Sequence, residues 1–252
     1  MAPHPFADRL VYALDVNFDD CKGFKEIYAK AAEGLDRTLD ALKGTGVTIK
    51  GNSVFRVLGA MALMTVASAG CFIFADYKLF DVQSTIANDT SWLKHVPNLK
   101  ILTVAEAVHP KVFANLSTML PDVIVAPVNP LTDLSDAEFK RRGEVSRDFA
   151  TTAFFNRAIE LPAKGIICSP KDISKMTDAF RSSRKIITPG IRPSWSVVEG
   201  DTNALNALTH QDAIRAGADI LVVGTPLRFK NDLRNNTLRI LDETGETVQS
   251  MH

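Results

Sequence analysis

The chain has 252 residues, 46% of them hydrophobic, and its 29 Lys and Arg are balanced by 29 Asp and Glu. Zero net charge offers no global field for nucleic acid or an anionic membrane, and Lys140-Arg141-Arg142, read as a solvated loop face, is too small a basic surface to supply one. The apolar stretch Val57–Phe74 is interrupted by Gly59, Ser68 and Gly70, the N-terminus has no signal-peptide apolar run, and Cys21, Cys71 and Cys168 lack ligand spacing. These features predict a cytoplasmic protein with no membrane span and no metal.

The first apolar run, Leu10–Leu14, reads as a strand, and Phe24–Leu42 follows as a helix with Ile27, Ala31, Leu35, Leu39 and Leu42 on one face. Val47–Ile49 is a second strand, Ser53–Ala69 a helix and Cys71–Ala75 a third strand. Strand Lys100–Val104 precedes helix His109–Leu120, which His109 caps or begins ahead of Pro110. Strand Val123–Ala126 leads into the irregular stretch Pro127–Arg142 and helix Glu144–Glu160. Then come strand Gly165–Cys168, helix Asp172–Phe180, strand Lys185–Ile187 and a second irregular stretch, Gly190–Thr209. Helix Thr209–Ala216 stops at Gly217 before the last strand, Ile220–Val223, and the polar tail after Glu243 is expected to fray.

Most of these strands are apolar without alternation, as strands buried on both faces are. About eight strand-then-helix units predict a single (β/α)8 TIM barrel over residues 1–252, with a doubly wound sheet as the alternative. Trp92 and Trp195 read as packing residues, Trp195 being the better ligand candidate because of its loop.

Charge gathers at the strand ends. Asp15 ends the first strand, Lys50 the second, Asp76 and Lys78 the third, with Asp81 just beyond. Strand side chains alternate, so Asp76 and Lys78 are expected on one face. A lone pair of this kind reads as an ion pair closing a strand. Alternating charge on three adjacent strand ends reads instead as the rim of an active site, where neighbouring charges shift one another's protonation. Thr188-Pro189-Gly190-Ile191-Arg192-Pro193 follows the seventh strand and Gly224-Thr225-Pro226 the eighth. Loops there are the usual phosphate site of such barrels, and Gly190 and Gly224 let backbone N–H groups approach an anion.

With these residues in place, the chain resembles the orotidine 5′-phosphate decarboxylase family over nearly its whole length. Asp76-x-Lys78-x-x-Asp81-Val82-x-x-Thr85 is similar to that family's Asp-x-Lys-x-x-Asp-Ile-x-x-Thr signature. Ala13-Leu14-Asp15, Lys50-Gly51, Gly165–Ser169, Thr188–Pro193 and Ala213–Gly224 match further segments. The resemblance implies a homodimer of (β/α)8 barrels that loses CO2 from C6 of orotidine 5′-phosphate without a cofactor, giving UMP. It implies Lys78 as the acid that protonates C6 and Asp76 beside the departing carboxylate. Asp15 and Lys50 would hold ribose hydroxyls and complete the charge network, and Asp81 and Thr85 would reach into the partner's site.

The match has gaps. Thr225 stands where the family usually has the Arg that clamps phosphate, and Ser194, followed by Trp195, where Gln is common. Asn129 falls where a Ser or Thr reads the pyrimidine, and Ala105-Glu106 replaces His-Ala. Either Arg192 or Arg228 takes over the phosphate contact, or the substrate is a modified or unphosphorylated nucleoside carboxylate. A related sugar-phosphate branch uses Mg²⁺ and a carboxylate on the second strand, where this chain has Lys50. A non-catalytic nucleotide-binding barrel is the remaining alternative, and it has no need of so many placed charges.

Overall fold

A computed structural model of the protein describes residues 2–128, 136–141, 143, 146–196 and 208–251. Eight parallel strands close into a barrel in sequence order: β1 Leu10–Leu14, β2 Thr48–Gly51, β3 Phe72–Leu79, β4 Leu99–Ala105, β5 Ile124–Val128, β6 Gly165–Ile167, β7 Lys185–Thr188 and β8 Ile220–Val223. β8 pairs with β1 through Val11↔Val222 and Tyr12↔Val223, so the sheet has no open edge and the doubly wound alternative is excluded.

Period-two alternation divides each strand between two cores. Leu10, Tyr12 and Leu14, with Ile49, Ile73, Ala75, Leu102 and Val104, pack outward under the helices. Val11, Ala13, Phe74, Ile101, Ala126, Ile167, Ile187 and Val222 fill the barrel. Extending the inward register by one step at the C-terminal ends brings Asp15 after Ala13, Lys50 after Thr48, Asp76 after Phe74 and Thr103 after Ile101. On β1 and β3 the inward register thus passes from apolar to charged in one step, while β2 and β4 end it on Lys50 and Thr103.

The helices are α1 Phe24–Leu42, α2 Ser53–Leu58, α3 Ala60–Ser68, α4 Gln83–Thr90, α5 Pro110–Met119, α6 Asp136–Arg141, α7 Arg147–Ala158, α8 Asp178–Ser183, α9 His210–Arg215 and α10 Leu233–Gln249. The expected Ser53–Ala69 helix is broken in two because Gly59 takes φ +66°, which ends one helix and starts the next. The expected Asp172–Phe180 helix is a 3-10 segment, Pro170–Lys175, followed by α8, whose Thr177 cap accepts from Phe180 N–H. Within Pro127–Arg142, read as irregular, α6 forms and carries the Lys140-Arg141 pair. His109 does cap α5: Nδ1 accepts from Lys111 N–H at 3.1 Å.

The tail beyond Glu243 does not fray. α10 runs to Gln249 with Thr244, Gly245 and Thr247 buried, and a Cβ on Gly245 would stand 2.6 Å from the Phe6 ring. The N-terminal segment thus packs on the last helix, which its polar composition concealed. No helix of the described residues is long and apolar enough to cross a membrane.

Candidate active site

Asp76 is the centre of the charged layer. It is only 6% exposed, and its Oδ2 accepts from Lys78 Nζ at 2.8 Å and Lys50 Nζ at 3.0 Å. Oδ1 accepts from the Thr103 hydroxyl at 2.9 Å. Burial alone would push the Asp76 carboxyl up, but the two ammoniums and their hydrogen bonds outweigh it and hold the group below its ordinary value. Asp76 is therefore a carboxylate at neutral pH. Two lysines share that one carboxylate.

Asp76 and Lys78 do not meet by simple strand alternation. β3 runs to Leu79, and its register against β4 moves from Ala75↔Leu102 to Leu79↔Val104, so four steps on β3 face two on β4. Inside this bulge Lys78 takes φ +48°, a left-handed conformation that costs a non-glycine residue roughly 1–2 kcal/mol. The strained residue bears the ammonium nearest Asp76, and strain of this kind gathers at functional sites.

Thr103, on β4 and buried, escaped the sequence reading. The signal was partial: it is a polar residue in a mostly apolar strand that also holds Lys100, two positions beyond inward-facing Ile101. Asp15 is exposed at the end of β1, and a Cβ on Gly224 would lie 3.7 Å from its Oδ2, so its carboxylate leans over the end of β8. Asp81 is exposed, its Oδ1 accepting from Val82 N–H at 2.7 Å, and Thr85 is half-buried in the first turn of α4. Among the described residues neither bonds to the Asp76 cluster.

β7 ends on Thr188, whose buried hydroxyl finds no partner among the described residues, and half-buried Pro189 follows. Gly190 turns the chain at φ +81°. Arg192 donates its backbone N–H to the Leu208 carbonyl at 2.9 Å and Nη1 to the Ile191 carbonyl at 3.2 Å. Ser194 is exposed at the start of a short 3-10 turn. Trp195 packs outward, with the Arg239 guanidinium 4.6 Å over its ring, Phe229 6.4 Å away, and Nε1 donating to Glu243 at 3.3 Å. Thr225 is exposed after β8. Arg228 stands beside it, donating Nη2 to the Thr225 hydroxyl at 3.4 Å and Nη1 to the Asp15 carbonyl at 2.9 Å and Tyr12 Oη at 3.3 Å. Among the described residues Arg228 forms no ion pair with a carboxylate. Glu106 is ion-paired, accepting from Arg157 Nε at 2.5 Å and Nη2 at 3.2 Å. Asn129 lies outside the described residues. No group of three or more His, Cys, Asp or Glu among the described residues could hold a metal ion.

A closed (β/α)8 barrel with a lysine–carboxylate cluster at the C-terminal ends of its strands defines the class of protein. The family model of the orotidine 5′-phosphate decarboxylase / HUMPS family matches residues 8–240, and the chain belongs to that family. Relatives named orotidine 5′-phosphate decarboxylase include one from Caulobacter sp. (strain K31), 30% identical over 68% of this chain and 73% of its own length. Another, from Caulobacter vibrioides (strain NA1000 / CB15N), is 27% identical over 93% of this chain and 96% of its own. The crystal structure of orotidine 5′-phosphate decarboxylase from Lactobacillus acidophilus shares the fold, with TM-score 0.74 at 22% identity over 94% of this chain and 99% of that one.

Proposed function

We propose that the protein decarboxylates orotidine 5′-phosphate to UMP without a cofactor, as a step of pyrimidine synthesis. The observation that carries this reading is Asp76, buried and ionised, between the Lys50 and Lys78 ammoniums. When the bond from C6 to the carboxylate breaks, CO2 departs and the electron pair stays on C6. An ammonium already in position stabilises that charge without reorganisation. Lys78 Nζ then gives C6 a proton and recovers one from water. Arginine would not serve, since it does not release its proton. Asp76 would sit beside the substrate carboxylate, and Asp15 and Lys50 would hold the ribose hydroxyls.

The phosphate is assigned to the turn Pro189-Gly190, Arg192 and Ser194 after β7, and to Gly224, Thr225 and Arg228 after β8. Arg228 is the chosen substitute for the missing family arginine because its guanidinium stands at Thr225 and, among the described residues, bonds to neutral acceptors alone. Thr225 itself favours a second reading, a nucleoside carboxylate without phosphate, since a hydroxyl supplies no charge. A Mg²⁺-dependent lyase is disfavoured because Lys50 brings an ammonium where that chemistry needs an oxygen donor. We assign Asp81 and Thr85 to the active site of a second copy across a homodimer. Asp81 is flanked by Phe80, 71% exposed, and Val82, 65% exposed, which a partner would cover.

The test is UMP and CO2 formation from orotidine 5′-phosphate in metal-free buffer, with orotidine alongside. Wild-type turnover, lowered at least about 10³-fold in Lys78→Ala, is expected. Turnover of orotidine alone would transfer the assignment to the unphosphorylated substrate, and activity abolished by EDTA would overturn it in favour of the Mg²⁺ reading.

A further inference from the structure

We infer that Thr103 and Arg56 are positioning residues that clamp the Tyr77–Lys78 peptide and thereby aim the Lys78 ammonium. The assignment of Lys78 as proton donor rests on the reading above; the clamp itself does not. The bulge in β3 takes this peptide out of the ladder between Ala75↔Leu102 and Leu79↔Val104, so its polar groups need other partners. Side chains from two neighbouring elements supply both. The Tyr77 carbonyl accepts from Arg56 Nη2 of α2 at 2.7 Å, and the Lys78 N–H donates to Thr103 Oγ1 of β4 at 3.0 Å. Opposite ends of one peptide plane are thus held from opposite sides, at the residue whose φ of +48° an unheld chain would leave.

The Thr103 hydroxyl has a single proton, and it goes to Asp76 Oδ1 at 2.9 Å. That donation turns a lone pair to the Lys78 amide. One buried oxygen therefore couples the carboxylate to the backbone of the lysine that pairs with it. Serine would preserve both bonds, whereas valine keeps the shape and loses both. Arg56 touches only the carbonyl side, so its removal frees the peptide and leaves the Asp76 hydrogen bond in place.

The experiment compares Thr103→Ser, Thr103→Val and Arg56→Met in folded protein by two readouts. Hydrogen exchange of the Lys78 amide needs no substrate. It is expected to be slow in wild type and Thr103→Ser and at least about tenfold faster in Thr103→Val and Arg56→Met. Decarboxylation kinetics follow. Thr103→Val is expected to lower kcat on the order of 10²-fold with KM little changed, the cost of a misplaced reacting group. Its acid limb should move to higher pH, because Asp76 loses a donor that favours its charged form. Thr103→Ser should restore both, and Arg56→Met should lower kcat without moving the limb. Unchanged exchange at Lys78 in Thr103→Val would overturn the clamp. Changed exchange without any wild-type turnover would preserve the clamp and refute the decarboxylase reading instead. Wild-type kcat in Thr103→Val despite faster exchange would overturn the link from clamp to catalysis.

Discussion

At the scale of single residues, Asp76 shows how a buried charge is kept. Its burial alone would favour the neutral acid, and two ammoniums within 3.0 Å keep it ionised. Asp76→Asn would leave Lys50 and Lys78 facing each other without a counter-charge. We expect a loss of about 3 kcal/mol at neutral pH, the low end for a broken buried pair because the Lys78 side chain is 38% exposed. The carboxyl is depressed in the folded state, so its contribution is complete above the ordinary value of 3.8 and is lost as pH falls through the folded value. Urea unfolding of both proteins should therefore give a difference that shrinks below pH 3.8; a difference independent of pH would refute the ionised assignment. Arg228 is tested by substrate discrimination. Arg228→Ala should raise KM for orotidine 5′-phosphate about 10- to 100-fold, the value of a charged hydrogen bond, and leave orotidine unaffected. Equal losses on both would make Arg228 only a strut between Tyr12 and the Asp15 carbonyl.

At the scale of elements, the segment after β7 is tied to α9 and α10 by one carboxylate. Glu243 of α10 accepts from Trp195 Nε1 and from Arg239 Nε at 2.7 Å, and His210 Nε2 of α9 lies 2.9 Å from its Oε2, a close contact short of a well-formed hydrogen bond. Burial lowers the His210 value below 6.5, and Glu243 only partly restores it against the opposing Arg239. Well above pH 6.5 folded and unfolded His210 are both neutral; as pH falls through that value the unfolded chain binds the proton first, so stability falls. The wild-type melting temperature should drop between pH 7.5 and pH 5.5, a window of about one unit either side of the ordinary histidine value. His210→Gln should flatten that drop, and an identical pH slope in the variant would discount the histidine. The same network explains why Trp195 is a packing residue: its indole is committed to Phe229, Arg239 and Glu243.

At the scale of the whole molecule, the proposal is that Asp81 and Thr85 of a second copy complete the site, since among the described residues neither bonds to the Asp76 cluster. Lys78→Ala and Asp81→Ala are each expected to be inactive and to regain activity when mixed and re-dimerised. One intact site in each mixed dimer should restore up to about a quarter of wild-type turnover, since half the dimers are mixed and each has one good site of two. A monomer by light scattering, or no recovery in proven heterodimers, would refute the shared site. Local pattern determined much of the protein. β1 and β8 were legible to the residue because buried parallel strands are continuous apolar runs between breakers. The grouping of Lys50, Asp76 and Lys78 was legible because charge at the end of a buried strand has few structural excuses, whereas no bond among the described residues joins Asp15 to them. What local pattern could not convey required other parts of the chain. α10 stays helical past Glu243 because Phe6 packs against Gly245, a contact between residues at opposite ends of the sequence. Thr103 looked like one more strand threonine until closure of the barrel set it against Asp76. The left-handed turn at Lys78 is invisible in the local sequence, since the bulge that imposes it is a mismatch of register between β3 and β4. Sequence determines which side chains point inward; only the closed barrel decides which of them touch, because those distances depend on the register of neighbouring strands.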